Sequence, residues 1–191
     1  METKSEYIAG GNCMRLNKII YKKDNLDLSQ KTFQRKAVRG VILQENKLLM
    51  LYSNKYGDYA FPGGGMEKGE SREEALKREI REECGVKISS DIELMGQIIE
   101  YNTAPVKGYE IFKMTSYYYI TEIEEESGSL DLEDYELELD LETQWVDVNK
   151  AIVNNKEIIE SQRETPIWAL REVKALQYIK ENILNKDGEE N

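Results

Sequence analysis

The clearest pattern in the chain is a pair of apolar runs separated by four polar residues. Residues 37–43 (AVRGVIL) are rich in β-branched side chains and read as a buried strand. Gln44-Glu45-Asn46-Lys47 forms a turn, and residues 48–52 (LLMLY) form the return strand of a hairpin. A polar loop, 53–59, leads to Ala60-Phe61-Pro62 and then to three glycines, Gly63, Gly64 and Gly65. Such a backbone can take positive φ or approach another group closely. Ser71 and Glu74 stand at the S-x-x-E spacing of a capping box, which starts a helix running to about Cys84. Gly85 sits where a left-handed cap ends it, and Ala75, Leu76 and Ile80 give that helix a modest apolar face.

Beyond this helix, residues 92–100 and 112–123 read as strands. In the second, Tyr118 points opposite Tyr117 and Tyr119. Residues 124–138 are acidic and read as a solvated loop, 141–148 as a strand and 149–155 as a short helix. Residues 168–184 form an amphipathic helix with Ala169, Val173, Leu176 and Ile183 on one stripe. Residues 1–35 are weakly patterned and read as an N-terminal extension with at most one strand, at the apolar patch 16–21. Residues 185–191 read as a disordered tail. No internal repeat or second boundary is visible, so 36–184 reads as one domain. Its intermixed strands and helices predict an α/β (α+β) sandwich.

Composition narrows the chemistry. The chain has 191 residues, 33 % charged, with a formal net charge of −11. That excess disfavours a nucleic-acid or anionic-membrane surface, which needs clustered Lys and Arg, and suits a protein that concentrates cations. Histidine is absent, which excludes His general bases, His triads and His-containing zinc sites. Cys13 and Cys84 form no CxxC pair and read as reduced thiols of a cytoplasmic protein. Residues 1–14 lack a signal-type apolar core, and the densest apolar run is 48–52, so no membrane association is expected.

The chemistry concentrates in residues 64–86, GGMEKGESREEALKREIREECGV. Glu79, Glu82 and Glu83 stand at i, i+3 and i+4, on one helix face. Their repulsion costs a few tenths of a kcal/mol per pair in an isolated helix, and a hard divalent cation removes it. Arg78, four residues before Glu82, can hold a carboxylate bidentately. Any one of these glutamate pairs alone would be an ordinary solvated face. The whole spaced pattern, G-x5-E-x7-R-E-I-x-E-E-x-G-V, arises by chance on the order of once in a million.

This pattern resembles the Nudix box of the Nudix hydrolase family, with every defining position present, and a weaker likeness in element order extends over 36–180. The resemblance implies an α/β/α sandwich with a mixed β-sheet between helices. It also implies a loop–helix–loop that binds Mg²⁺ or Mn²⁺, and hydrolysis of a nucleoside diphosphate derivative or nucleoside triphosphate by water attack on phosphorus. Carried over by position, Glu82 and Glu83 are the principal metal ligands and Glu79 a third ligand or base. Arg78 orients the carboxylates, Gly63 offers a backbone carbonyl to the metal, and Glu70 braces the loop. In the family the base can also come from a downstream loop, here Glu124, Glu125, Glu126, Glu136, Glu138, Asp140 or Glu142.

The substrate is less defined. Pro105 is not at the spacing of ADP-ribose pyrophosphatases, and Tyr101 lies only near the tyrosine spacing of dinucleoside polyphosphate hydrolases. Tyr52, Tyr56, Tyr59 and Phe61 flank the glycine loop and can stack on a base or simply pack in the core. Arg39 and Lys55 can meet phosphate or lie at the rim. Cys84 reads as core. The expected partner is a small nucleotide-type diphosphate. RNA 5′-pyrophosphate removal and non-catalytic nucleotide sensing are the alternatives, the first opposed by net charge and the second by the complete set of box carboxylates. The extension could pair two copies in a homodimer.

Overall fold

The computed structural model describes residues 15–126, 128, 130, 132, 134–161 and 166–184, with backbone alone for 134–136. The expected tail at 185–191, and Cys13, lie outside them. The hairpin forms as expected: β2 (Thr32–Gln44) turns into β3 (Lys47–Ser53), with Leu43 opposite Leu48. Glu45 and Asn46 both take positive φ, 49° and 62°, the turn geometry whose twist matches a tight hairpin.

Around this hairpin a mixed sheet is assembled. β2 runs parallel to β7 (Ile111–Thr121), and β7 is antiparallel to β6 (Glu93–Thr103). β6 is parallel to β1 (Leu16–Tyr21). On the other side, β3 pairs antiparallel with β4 (Tyr59–Ala60) and with β9 (Leu141–Asp147). A small second sheet joins β5 (Val86–Ile88) to β8 (Ile123–Glu126).

Residues 16–21 and 32–35 are thus part of the main sheet rather than outside it. Only Leu16 and Ile20 of β1 turn inward, and Gln34, Arg35 and Lys36 at the start of β2 are exposed. Backbone pairing to β6 and β7 defines these strands, where apolar alternation is too sparse to reveal them.

The two sheet faces are covered by different helices. On one, Ala75, Leu76 and Ile80 of α1 (Arg72–Cys84) pack against Val38, Ile42, Leu49 and Tyr119. On the other, α3 (Val148–Glu160) and α4 (Ala169–Ile179) cover Val41, Leu48, Met50, Phe61 and Tyr118. Tyr118 and Tyr119 fall on opposite faces, as the period of two requires. The result is the expected α/β/α sandwich.

Two elements differ from the sequence reading. The acidic stretch carries β8 and the six-residue α2 (Asp134–Leu139) in place of a continuous loop. Helix α3 spans 13 residues, well past Asn155. Asn154 and Asn155 mark a helix end by propensity, yet their side chains anchor the neighbouring strand. Asn155 is fully buried; its Oδ1 accepts from Tyr59 N at 2.9 Å and its Nδ2 donates to Tyr59 O at 2.7 Å. Asn154 Nδ2 donates to Gly57 O at 2.7 Å.

This clamp fixes the strand that leads into the glycine loop. Asn155→Ala leaves a buried N–H and a buried carbonyl without partners, and is expected to cost about 3 kcal/mol. The check is urea unfolding, with a lower midpoint at an unchanged slope.

Candidate active site

The box helix is bounded as its sequence dictates. The Ser71 hydroxyl accepts from Glu74 N and the Glu74 carboxylate accepts from Ser71 N, at 3.2 and 2.8 Å. Gly85 closes the helix with φ 65°, donating its N–H to Arg81 O. Between these caps, Glu79 and Glu83 flank the apolar stripe and are buried, while Glu82 is partly exposed.

The glycine loop is laced to β2. Gly40 N donates to Pro62 O at 2.8 Å, Val38 N to Gly64 O at 3.0 Å and Met66 N to Lys36 O at 3.0 Å. Gly63 takes φ 127°, and a Cβ there would run into the Val38 carbonyl. A Cβ on Gly64 would come within 2.6 Å of the Glu79 carboxyl carbon. The carboxylate therefore lies flat on bare backbone. Gly63 N–H donates a short hydrogen bond to Glu83 Oε2, so both buried carboxylates touch the loop.

Arg78 ties the remaining groups together. Its Nε and Nη2 donate to the two oxygens of Glu70 at 2.9 and 3.0 Å, and Nη2 also donates to Gly65 O at 3.1 Å. Its Nη1 donates to Glu79 Oε1 at 2.9 Å and to Glu82 Oε2 at 3.1 Å. These bonds use all five donors of the guanidinium. The bidentate partner is Glu70 rather than Glu82, because Glu70 lies across the loop and meets the fork edge-on. Glu70 Oε2 also accepts from Glu67 N at 2.9 Å, so this residue braces the loop as expected. The Arg78 hydrogen bonds hold the Glu70 carboxyl below its ordinary range, and Glu70 in turn raises Arg78.

Glu70, Glu79, Glu82 and Glu83 against Arg78 and the exposed Arg81, which meets Glu82 at 3.6 Å, leave surplus negative charge and an all-oxygen donor set. That chemistry fits Mg²⁺ or Mn²⁺. Among the described residues no three carboxylates already converge on one point; Arg78 and Gly63 N–H hold oxygens that a cation would share. Of the loop carbonyls, Gly64 O is taken by Val38 and Gly65 O by Arg78. No hydrogen bond reaches Gly63 O among the described residues.

Glu79 and Glu83 open onto a cavity of about 540 Å³. Arg39 and Phe61, expected at the substrate, line it. Lys55 and Tyr59 do not. Tyr59 is core, packed on Tyr52 with ring centres 4.9 Å apart, because the Asn155 clamp turns it inward. Lys55 lies over the Tyr56 ring at the surface. The downstream acids with described side chains also stay outside: Glu125 pairs with Lys87 at 2.7 Å and Glu142 accepts from Asn54 at 3.0 Å.

The structure adds residues the sequence did not single out. Arg35 and Ala37 alternate along β2 into the cavity with the expected Arg39, whose Nε is buried without a partner among the described residues. Across from them, Lys22 and Arg171 flank Glu100 at 3.0 and 3.1 Å. Arg171 also binds Glu172, whose Oε2 accepts from Phe61 N at 3.3 Å. Asp58 is buried and lines the cavity, with Oδ2 accepting from Trp168 Nε1 at 2.9 Å. Burial pushes its carboxyl up to about 6, opposed by the Trp168 hydrogen bond. The signal that links Arg35 to Arg39 is their spacing on one face of a strand that begins at Thr32 rather than at Ala37.

A mixed sheet between two helix layers, with a carboxylate helix docked on a glycine loop, is the architecture of Nudix domains. A Nudix hydrolase from Nitrosomonas europaea shares it at a TM-score of 0.50 and 19 % identity, over 75 % of this chain and 90 % of that one. So does a structure described as an ADP compounds hydrolase, at 0.50 and 20 %, over 80 % and 74 %. The NUDIX domain family matches residues 33–168, and the chain belongs to that family.

Among similar sequences, an ADP-ribose pyrophosphatase of Methanocaldococcus jannaschii is 42 % identical over 72 residues, 36 % of this chain and 43 % of that protein. A nucleoside triphosphatase NudI of an Enterobacter species is 62 % identical over 32 residues, 17 % of this chain and 23 % of that protein. An RNA pyrophosphohydrolase of Psychromonas ingrahamii is 38 % identical over 50 residues, 25 % and 28 %. The chain thus spans less than half the length of the curated relatives it matches.

Arg78→Lys keeps the charge but cannot reproduce the bidentate bond to Glu70 together with the other contacts. It is expected to lower stability by about 1–3 kcal/mol at neutral pH. Glu70 is held low by Arg78, so this contribution is complete above the unfolded glutamate value of about 4.3 and is lost as pH falls through the lower folded value. Denaturant curves of both proteins across that range should converge on acidification.

Proposed function

We propose that this chain is a divalent-metal-dependent hydrolase cleaving the diphosphate linkage of a nucleoside diphosphate derivative or nucleoside triphosphate. One observation carries the reading: buried carboxylates of the box and the two β2 arginines line the same cavity. Mg²⁺ or Mn²⁺, held by Glu79, Glu82, Glu83 and the Gly63 carbonyl, supplies charge neutralisation and an acidified water when bound.

The chain's own groups do the rest. Arg35 and Arg39 enter from one face of β2, and the unpaired Arg39 Nε offers a charge-assisted hydrogen bond to a phosphate oxygen. Arg78 holds the glutamates against the loop, so their positions are set before substrate arrives. Glu79 serves as third ligand or proton acceptor.

Three relatives are named for ADP-ribose, nucleoside triphosphates and RNA. A small nucleotide is favoured over RNA. Lys22 and Arg171 are already neutralised by Glu100 and Glu172, so the cations left for substrate suit one diphosphate rather than a polynucleotide backbone. The reading includes a cytoplasmic location, in line with the acidic, disulfide-poor composition.

The test is a panel of ADP-ribose, nucleoside triphosphates and 5′-triphosphorylated RNA with Mg²⁺ or Mn²⁺, products identified by mass. Wild type should cleave a small nucleotide, and Glu82→Gln and Glu83→Gln should each lose at least about 100-fold in kcat. Failure to cleave any member with either metal, or full activity in both variants, would sink the reading. Heavy-oxygen water would report which phosphorus is attacked.

A further inference from the structure

Asp58 is one percent exposed, yet only one of its carboxylate oxygens is engaged by a side chain. Oδ2 accepts the indole N–H of Trp168, and Oδ1 is buried with no partner among the described residues. A buried carboxylate oxygen without a donor is costly and rare. No box function uses this residue. Its surroundings are tied together: Ser53 N donates to Asp58 O at 2.9 Å, and Ser53 Oγ donates to Leu139 O at 3.1 Å. The Trp168 ring is itself fixed edge-on by Tyr56, 6.0 Å away.

The position of this group relative to the box follows from strand register. Thr143 stands opposite Leu51 and donates from Oγ1 to the Glu83 carbonyl at 3.3 Å. Two residues further along the same pair of strands, Leu141 stands opposite Ser53, the residue bound to Asp58. The box and Asp58 are therefore successive stations on one cavity wall. Apolar side chains line the same cavity: Leu51, Leu139, Leu141, Ile167 and the Trp168 indole. A cavity with these apolar side chains and one unsatisfied buried acceptor on its wall has the chemistry to take a heteroaromatic ring with an N–H on its edge.

We infer that this end of the cavity receives the nucleobase of the substrate, with Asp58 Oδ1 accepting an N–H of the base beside Trp168. The inference rests on the nucleotide reading above and adds the specificity-determining residue for its base. A site whose buried acceptor is left unpaired by the wrong ligand discriminates strongly against it. Asp58→Asn reverses the polarity, because its oxygen faces the indole N–H and its amide then presents hydrogens where Oδ1 stood.

The experiment is equilibrium binding without metal, using AMP, GMP, CMP, UMP and ribose 5-phosphate as probes. The best of the four nucleotides should bind at least about tenfold tighter than ribose 5-phosphate. Asp58→Asn should erase that advantage, leave ribose 5-phosphate unchanged and melt no lower than wild type. The N-methylated form of the best base, lacking the donor, should lose the same factor on wild-type protein, and decides alone if the variant does not fold. Equal binding of ribose 5-phosphate and all four nucleotides overturns the inference. So does an advantage that survives either the substitution or the methylation. Base-selective binding without cleavage of any diphosphate would sink the hydrolase reading and leave this site standing; cleavage without base selectivity would do the reverse.

Discussion

The site depends on one constraint: four carboxylates must be held within a single helix turn and its leading loop without driving that segment apart. Burying one unpaired carboxylate costs several kcal/mol. The chain meets this with two devices that work only together. Arg78 spends every donor on Glu70, Glu79, Glu82 and Gly65 O, while Gly64 lets Glu79 approach at a distance a side chain would forbid and Gly63 N–H donates to Glu83. Because Pro62, Gly64 and Met66 of the same loop are laced to Gly40, Val38 and Lys36, carboxylate positions are referred directly to the central strand.

A second charged cluster does the corresponding work on the opposite wall. Lys22 on the segment after β1, Glu100 on β6, and Arg171 and Glu172 on α4 form a chain of alternating charge, and Glu172 reaches Phe61 N just ahead of the glycine loop. Neutral overall, it fixes the cavity's shape while leaving its field to others. The field comes from the acidic box on one side and from Arg35 and Arg39 on the other. An anionic diphosphate entering this space meets cations on β2 and needs a cation at the box, which is the polarity the proposed chemistry requires.

The parts legible in the sequence were those governed by local rules. Ser71, Glu74 and Gly85 bound α1 as their spacing says, and the Tyr117–Tyr119 alternation holds. What escaped reading was decided by distant partners. β1 and the start of β2 are strands because β6 and β7 supply their hydrogen bonds. Arg171 and Glu172 look like surface charges on an amphipathic helix, and only the fold brings Glu100 to them. Tyr59 sits beside the glycine loop in sequence, but Asn155, nearly a hundred residues on, turns its ring into the core.

Two acids show how far environment, rather than residue type, sets behaviour. Glu70 braces the box loop and Asp58 lines the cavity, and they are displaced in opposite directions. Glu70 has a bidentate guanidinium and a backbone N–H, so its charged form is favoured and the box stays braced well into acid. Asp58 has one indole N–H and a dry enclosure, so burial dominates and its charge is held at a cost. A group kept charged at such cost, with an acceptor left open, is poorly explained by stability alone, since its amide or an apolar side chain would fill the same space more cheaply. Glu70 serves position; the proposed contact with a base N–H would give Asp58 Oδ1 the partner it lacks.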